Sequence, residues 1–185
     1  MIPIPWTIKN ADFILREFTL EDIDEFHLNA LNNTQHMRYS RQANIYHCVE
    51  TTLEYISELK EVGGVILGIF DIDEKFRLGT VTMTPTGRAI SFGFLIYPEF
   101  AGKGILSNVL PFLLSELDYK EGVEWLHIGT HKDNLSMKRV ALKQGFKVLD
   151  YETLRAIFGL SFQNPRDELV HLIKPTLRKN NYWQE

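Results

Sequence analysis

Residues 92–146 read FGFLIYPEFAGKGILSNVLPFLLSELDYKEGVEWLHIGTHKDNLSMKRVALKQGF, and the order of segments within them decides the fold. Phe92 to Tyr97 is short, apolar and aromatic, which predicts a buried strand. Pro98 cannot donate to a ladder and biases Tyr97 toward extended geometry, so the strand stops there. Gly102-Lys103-Gly104 then lets the backbone turn tightly and a ligand come close. Ile105, Leu106, Val109, Leu110, Leu113, Leu114 and Leu117 follow at helical spacing. Strand, glycine turn and helix in this order aim free backbone N–H groups and a positive helix-dipole end at one point, where an anion can sit. The same three residues suit a tight connection with no ligand, and alone they do not separate the two readings.

Two phosphate-binding patterns are tested directly. A P-loop needs Ser or Thr directly after its Lys; Gly104 holds that place, so it fails. The dinucleotide pattern G-x-G-x-x-G would have Ser107 as its third member and belongs after the first strand of a strand-helix-strand unit. Here about half the chain comes first and reads as meander strands, which weakens the dinucleotide reading and leaves it open.

Beyond the glycine turn, Glu124 to Thr130 predicts another strand, Asp133-Asn134 a turn, and Leu135 to Gln144 a short helix stopped by Gly145. Phe146 opens a further strand. This ordered set resembles the cofactor half of the GNAT family of N-acetyltransferases. That family carries Q/R-x-x-G-x-G/A after one strand and N-x-x-S…G-F after the next. The first corresponds to Ala101-Gly102-Lys103-Gly104-Ile105-Leu106, and the second to Asn134-Leu135-Ser136-Met137 with Gly145-Phe146. There are departures: Ala101 stands for the usual Gln or Arg, Leu106 for Gly or Ala, and Met137 for Ser, with Ser136 one place early. The phrase LREFTLEDIDEFHLNAL, residues 15–31, resembles the opening of the family's ribosomal-protein acetyltransferase branch.

The resemblance implies roles. Backbone of Phe94, Leu95 and Ile96 would pair with the pantetheine arm of acetyl-CoA. Amides from Ala101, Gly102, Lys103, Gly104, Ile105 and Leu106 would hold the pyrophosphate, which needs no side chain. Asn134 would bond the pantetheine, although an Asn there equally suits a helix cap. Ser91 stands near where relatives carry an acidic residue, and Leu142 where others carry a Tyr acid. The remaining catalytic candidates are His131, with Asp133 nearby at the strand end, and Ser136 beside Asn134. His127 and His131 share a strand face, but without a neighbouring Cys or carboxylate at ligand spacing they predict no metal.

The 185 residues suit one domain, residues 1–185, with a full core. Hydrophobic residues make up 44% and charged residues 24%, the net charge is -4, and no basic run stands out, so no nucleic-acid partner is expected. A single cysteine, Cys48, fits a reducing compartment. The opening residues MIPIPWTIKN have no signal-peptide pattern, and the apolar run from Val62 to Phe70 is too short to span a bilayer, so a cytoplasmic protein with no membrane partner is expected.

Taken in order, Phe13 to Phe18 predicts a strand and Leu20 to Asn32 a helix capped by Thr19. Asn33 to Tyr46 reads as a loop or broken helix, and His47 to Lys60 as a helix ended by Gly63-Gly64. Val65 to Asp71 and Leu78 to Thr84 form a hairpin, and Ala89 to Tyr97 extends it through a turn at Pro85 to Arg88. Pro111 removes only an early helix bond if Ser107 is the cap, and should bend a helix that starts at Gly104. After Lys147 to Tyr151 as strand, Ala156 to Asn164 reads as irregular. Glu168 to Ile173 is a last strand closed by Pro175, and Thr176 to Glu185 a frayed tail.

The fold class expected is α/β: a mixed, mostly antiparallel twisted sheet with helices on both faces, its two cofactor strands parallel and splayed. The function expected is direct acetyl transfer from acetyl-CoA to a primary amine, either a protein N-terminus or a small molecule. A non-catalytic acyl-CoA-binding relic and a dinucleotide-binding oxidoreductase are the rivals.

Overall fold

A computed structural model describes residues 7–40, 45–118, 121–158 and 168–177. The chain forms two compact units, Met1–Thr84 with Gly93–Ile105, and Pro85–Phe92 with Leu106–Glu185.

The first unit begins with β1 (Thr7–Lys9), β2 (Phe13–Glu17) and a 3-10 turn (Leu20–Asp22), followed by α1 (Glu25–Asn32), α2 (Thr34–Met37) and α3 (Val49–Glu61). β3 (Val65–Asp71), β4 (Arg77–Thr86) and β5 (Ala89–Ile96) complete it, the last strand being shared with the second unit. β1, β2, β3 and β4 pair antiparallel in that order, and β5 is the next neighbour of β4. Val65 to Phe70 of β3 is buried at every position, so both of its faces are covered, as its unbroken apolar run requires. On one side, Ile56 and Leu59 of α3 pack with Phe18, Ile23 and Ile66; such side chains contribute about 1.5–3 kcal/mol each on full burial.

β1 was not foreseen; three residues are too few for an alternating pattern to register. The helix expected over Leu20 to Asn32 is broken in two. Asp22 turns inward, 5% exposed, and takes the forked guanidinium of Arg16 at 2.9 and 3.0 Å and the N–H of Thr19 at 2.8 Å. A continuous helix would carry that carboxylate away from those donors, so the chain closes a 3-10 turn and starts again at Asp24, whose Oδ1 accepts from His27 N–H at 2.9 Å.

The second unit contains the first half of β5, α4 (Ile105–Leu117), β6 (Trp125–His131), α5 (Leu135–Lys143), β7 (Lys147–Leu149), α6 (Tyr151–Phe158) and β8 (Leu169–Pro175). Its strand order is β5-β6-β8-β7. β5 and β6 are parallel, from Ala89↔Trp125 to Phe92↔Ile128. β8 is antiparallel to both β6 and β7. α6 lays Leu154 and Phe158 on Ala89, Trp125 and Ile173.

One parallel pair among antiparallel ladders, with the glycine turn after the fifth strand, excludes the doubly wound dinucleotide fold. Two further expectations are corrected. Residues 151–158 form a helix where strand end and irregular chain were expected, because Leu154 and Phe158 share a face over the sheet; residues 159–167 lie outside the described residues. Thr176 is buried, its N–H donating to Glu124 O and its hydroxyl to Val123 O, so no fraying begins there; residues 178–185 lie outside the described residues. Pro175 stands within β8, at the strand's last position. α4 starts at Ile105 with Pro111 inside it, the later of the two placements weighed for that proline.

Candidate active site

The site is built outward from β5. Tyr97 N–H donates to Leu78 O at 2.9 Å, so Tyr97, Leu95 and Gly93 aim their backbone groups toward β4. By alternation along the strand, Phe94 and Ile96 aim theirs at the opposite edge. That edge pairs with β6 only as far as Phe92. Past that point, within the first unit, Ile96 O accepts from His36 Nε2 at 2.6 Å, which fixes His36 as the Nε2–H tautomer. Of the three residues expected to face pantetheine, Phe94 and Ile96 present that edge, and Leu95 faces the other way.

After β5 the backbone makes a 3-10 turn, Pro98–Phe100, with Pro98 at its first position. Ala101, Gly102, Lys103 and Gly104 are all exposed. Gly102 and Gly104 have φ of 77° and 78°, and a Cβ on either would meet nothing within 4 Å. Their glycine character is therefore required by the left-handed backbone, with open space above it. α4 begins at Ile105, so the first-turn N–H groups of Ile105 and Leu106 have no carbonyl within their own helix to bond. A pyrophosphate fits such a cradle. Lys103 Nζ lies 5.2 Å from the centre of the Phe100 ring.

At the end of β6, Asn134 caps α5: its Oδ1 accepts from Met137 N–H at 3.2 Å, and its Nδ2 donates to Thr130 Oγ1 at 3.1 Å. Ser136 is an exposed residue of the first turn of α5. His131 closes β6 with Nδ1 accepting from Asp133 N–H at 3.2 Å and Nε2 3.6 Å from Glu168 Oε2. That arrangement places the neutral ring's proton on Nε2, facing a carboxylate.

Two polar networks were not read from the sequence. In the second unit, Ser91 Oγ lies 2.8 Å from His127 Nδ1, and His127 Nε2 lies 2.9 Å from His171 Nδ1. In the first unit, the buried Tyr97 hydroxyl lies 2.6 Å from His27 Nδ1 and accepts from Arg77 Nε at 3.0 Å. With Arg77 on one side of the oxygen, the Tyr97 hydroxyl and His27 Nδ1 share one hydrogen bond on the other. Burial raises the Tyr97 phenol and lowers His27 to about 4, the positive charge of Arg77 adding to the His27 shift. Both groups are thus neutral near pH 7, a structural lock around the end of β5. Partners of this kind are set by strand register, which no short sequence pattern carries.

The acetyltransferase (GNAT) domain family matches residues 12–147. No curated protein matches the chain. Among solved structures, the RimL ribosomal L7/L12 α-N-protein acetyltransferase bound to coenzyme A is similar with a TM-score of 0.73 at 15% identity, covering 92% of this chain and 98% of that one. The spermidine N-acetyltransferase of Vibrio cholerae with CoA and spermine gives 0.70 at 18%, covering 93% and 100%. The microcin C7 self-immunity acetyltransferase MccE with acetyl-CoA and AMP gives 0.72 at 18%, covering 93% and 97%. These likenesses establish the fold; the domain match, over most of the sequence, places this chain in the GNAT acetyltransferase family.

Proposed function

We propose that the chain transfers the acetyl group of acetyl-CoA directly to a primary amine. The observation that carries this reading is the glycine turn between β5 and α4, with two left-handed glycines and open space above each. Amides of Ala101 to Leu106 bind the pyrophosphate. The outward edge at Phe94 and Ile96 takes the pantetheine arm as a short added strand, in place of the His36 contact at Ile96 O. Fixing the thioester beside the amine supplies proximity, the largest contribution a site without a charged base has to offer. Asn134 contributes its amide beside its capping role. His131 and Ser136, near the start of α5, are available to the acceptor side. Residues 1–185 act as one N-acetyltransferase domain in the cytoplasm.

For the acceptor, a protein N-terminal amine is placed ahead of a small-molecule amine. The motive is the likeness of residues 15–31 to the ribosomal-protein branch, with the RimL structures among the similar folds. A relic that binds acyl-CoA without transferring is the second reading, motivated by Ser91 and Leu142 at positions where relatives carry acid or base.

A thermal-shift series with acetyl-CoA, CoA, NAD and ATP tests the ligand, since a ligand bound only by the native state raises its melting temperature. Stabilisation by both CoA species is expected; stabilisation by NAD alone would overturn the reading. Thiol release across a panel of N-terminal peptides and polyamines then separates the enzyme from the relic.

A further inference from the structure

Ser91 and His127 are register partners across the parallel β5–β6 pair, and His171 lies on β8 opposite Gly129, two residues beyond His127. The three side chains form one hydrogen-bonded row: Ser91 Oγ to His127 Nδ1 at 2.8 Å, and His127 Nε2 to His171 Nδ1 at 2.9 Å. The imidazole planes are within 16° of parallel with centroids 5.2 Å apart, edge to edge through that bond, and the Phe158 ring of α6 stands edge-on to His127 at 5.2 Å. Both histidines are buried, at 5% and 6% exposure, while Ser91 is half-buried. A packed aromatic core needs no hydroxyl–imidazole–imidazole row. A nucleophile or proton carrier does: one group meeting the substrate, a base behind it, and a third group orienting the base.

Gly129 adds an opening. It is the exposed position in a strand buried on both sides of it, and a Cβ there would lie 3.6 Å from His127 Cε1 and 3.9 Å from His171 Nδ1. A larger side chain at this position would cover the imidazole pair. Ser91 itself precedes Phe92, the last β5 residue paired with β6. It is three residues upstream of Phe94, where the outward edge becomes available.

We propose that Ser91 Oγ takes the proton from the acceptor ammonium and passes its own to His127 Nδ1, with His171 as the positioning residue that keeps His127 ready to receive it. The proposal rests on the acetyltransferase reading above. The ammonium loses one proton through Ser91 to His127, which becomes an imidazolium donating from Nε2 to His171 Nδ1. The freed amine forms the N–C bond to the thioester carbonyl, and the C–S bond breaks as the intermediate collapses. The second amine proton goes to the departing thiolate, giving amide and CoA thiol, and His127 returns its proton to solvent. No redox partner or metal is needed.

The test uses the full chain, acetyl-CoA and the best amine of the panel. Ser91→Ala should lower kcat by about a hundredfold, within the usual range for a general base, and leave CoA affinity by calorimetry unchanged. Ser91→Thr, which keeps the hydroxyl, should recover most of the rate. His127→Gln should match Ser91→Ala, and His171→Gln should cost about tenfold. In the wild type kcat should rise with pH well below the amine's own pKa. In Ser91→Ala that rise should move up toward the amine's own pKa. Among the described residues, Ser91, His171 and the Phe158 ring face His127, with His131 further along the same strand face beside Asp133 and Glu168. Unchanged kcat and pH profile in Ser91→Ala, with an active wild type, would overturn the relay and leave the acetyltransferase reading intact. A wild type that binds acetyl-CoA but acetylates no amine would overturn both. Ser91→Ala removes one oxygen from a half-buried site, so it keeps the test decisive if either histidine variant fails to fold.

Discussion

A Cβ on Gly79 would sit 2.1 Å from the carbonyl oxygen of Leu95 and 2.9 Å from Ile96 Cα. The close approach comes with an irregularity: Ile69 pairs with Gly79 but Phe70 pairs with Arg77, leaving Leu78 as an extra residue in β4. Gly79 thus lies against the half of β5 that offers Phe94 and Ile96 on its other edge. Gly79→Ala must therefore displace backbone, since no flexible side chain is there to yield. It should cost about 1–3 kcal/mol, the usual range for overpacking. It should also weaken CoA binding, because the displaced strand is the one that carries the pantetheine edge. Urea unfolding and calorimetric titration on the same protein check both parts; normal CoA affinity in a destabilised Gly79→Ala would separate the bulge from the site.

Asp22 is the most exacting polar position in the first unit. Burial pushes its carboxyl up, but the Arg16 fork and Thr19 outweigh that and hold it below the usual carboxylate range. Arg77 adds a contact at 3.3 Å. Asp22→Asn removes the negative charge and leaves two guanidinium groups facing a neutral amide. A loss of about 3–5 kcal/mol is expected, as for breaking a buried pair from one side. Chemical denaturation measures it, and a loss under 1 kcal/mol would show that the existing pairs of Arg77 with Asp24 and of Arg16 with Glu74 suffice for the arginines.

Stability should also fall with acid in a window assigned to His27. Its folded pKa, about 4, lies below the ordinary 6.5 because burial disfavours the charged ring. Between those values the unfolded chain binds a proton that the folded chain refuses. The stability is therefore complete above about pH 6.5 and lost as pH falls toward 4, by a total of about 3 kcal/mol. Asp22, whose folded pKa is depressed, contributes a separate loss at lower pH. Denaturation midpoints taken between pH 7 and 4 should slope in the wild type and flatten in His27→Gln. An equal slope in both would move the titration elsewhere.

What the sequence made legible was what depends on neighbours in the chain. Pro98 ending a strand, the glycines before an apolar helix, and Asn134 ahead of α5 are local statements, and each stands where it was expected. What depended on register was not legible. Ser91 read only as standing near where relatives carry an acidic residue, because its partner, His127, lies 36 residues away on a parallel strand. His171 drew no attention at all, and Gly79 matters only because Leu95 lies against it across the strand pair. The break at Asp22 needed Arg16 and Arg77, one on each side in sequence and neither at helical spacing from it.

The last prediction separates backbone from charge in the cofactor turn. Gly104 holds φ +78° with open space where a side chain would go. Gly104→Val therefore meets no protein atom, and its penalty comes from forcing a β-branched residue into the left-handed region and from covering the amides an anion must reach. CoA binding should fall by more than about a hundredfold, or roughly 3 kcal/mol, while the fold survives, since the turn is exposed. Lys103→Ala removes an exposed charge resting near the Phe100 ring, and should weaken binding by no more than about tenfold. Asn134→Ala should fall between them. It also loses the α5 cap, at about 1 kcal/mol of stability, so its melting temperature should drop where that of Lys103→Ala does not. Calorimetric titration of CoA into the three folded variants gives the order directly. Normal binding by Gly104→Val together with lost binding in Lys103→Ala would mean that a point charge, and not the backbone cradle, holds the pyrophosphate.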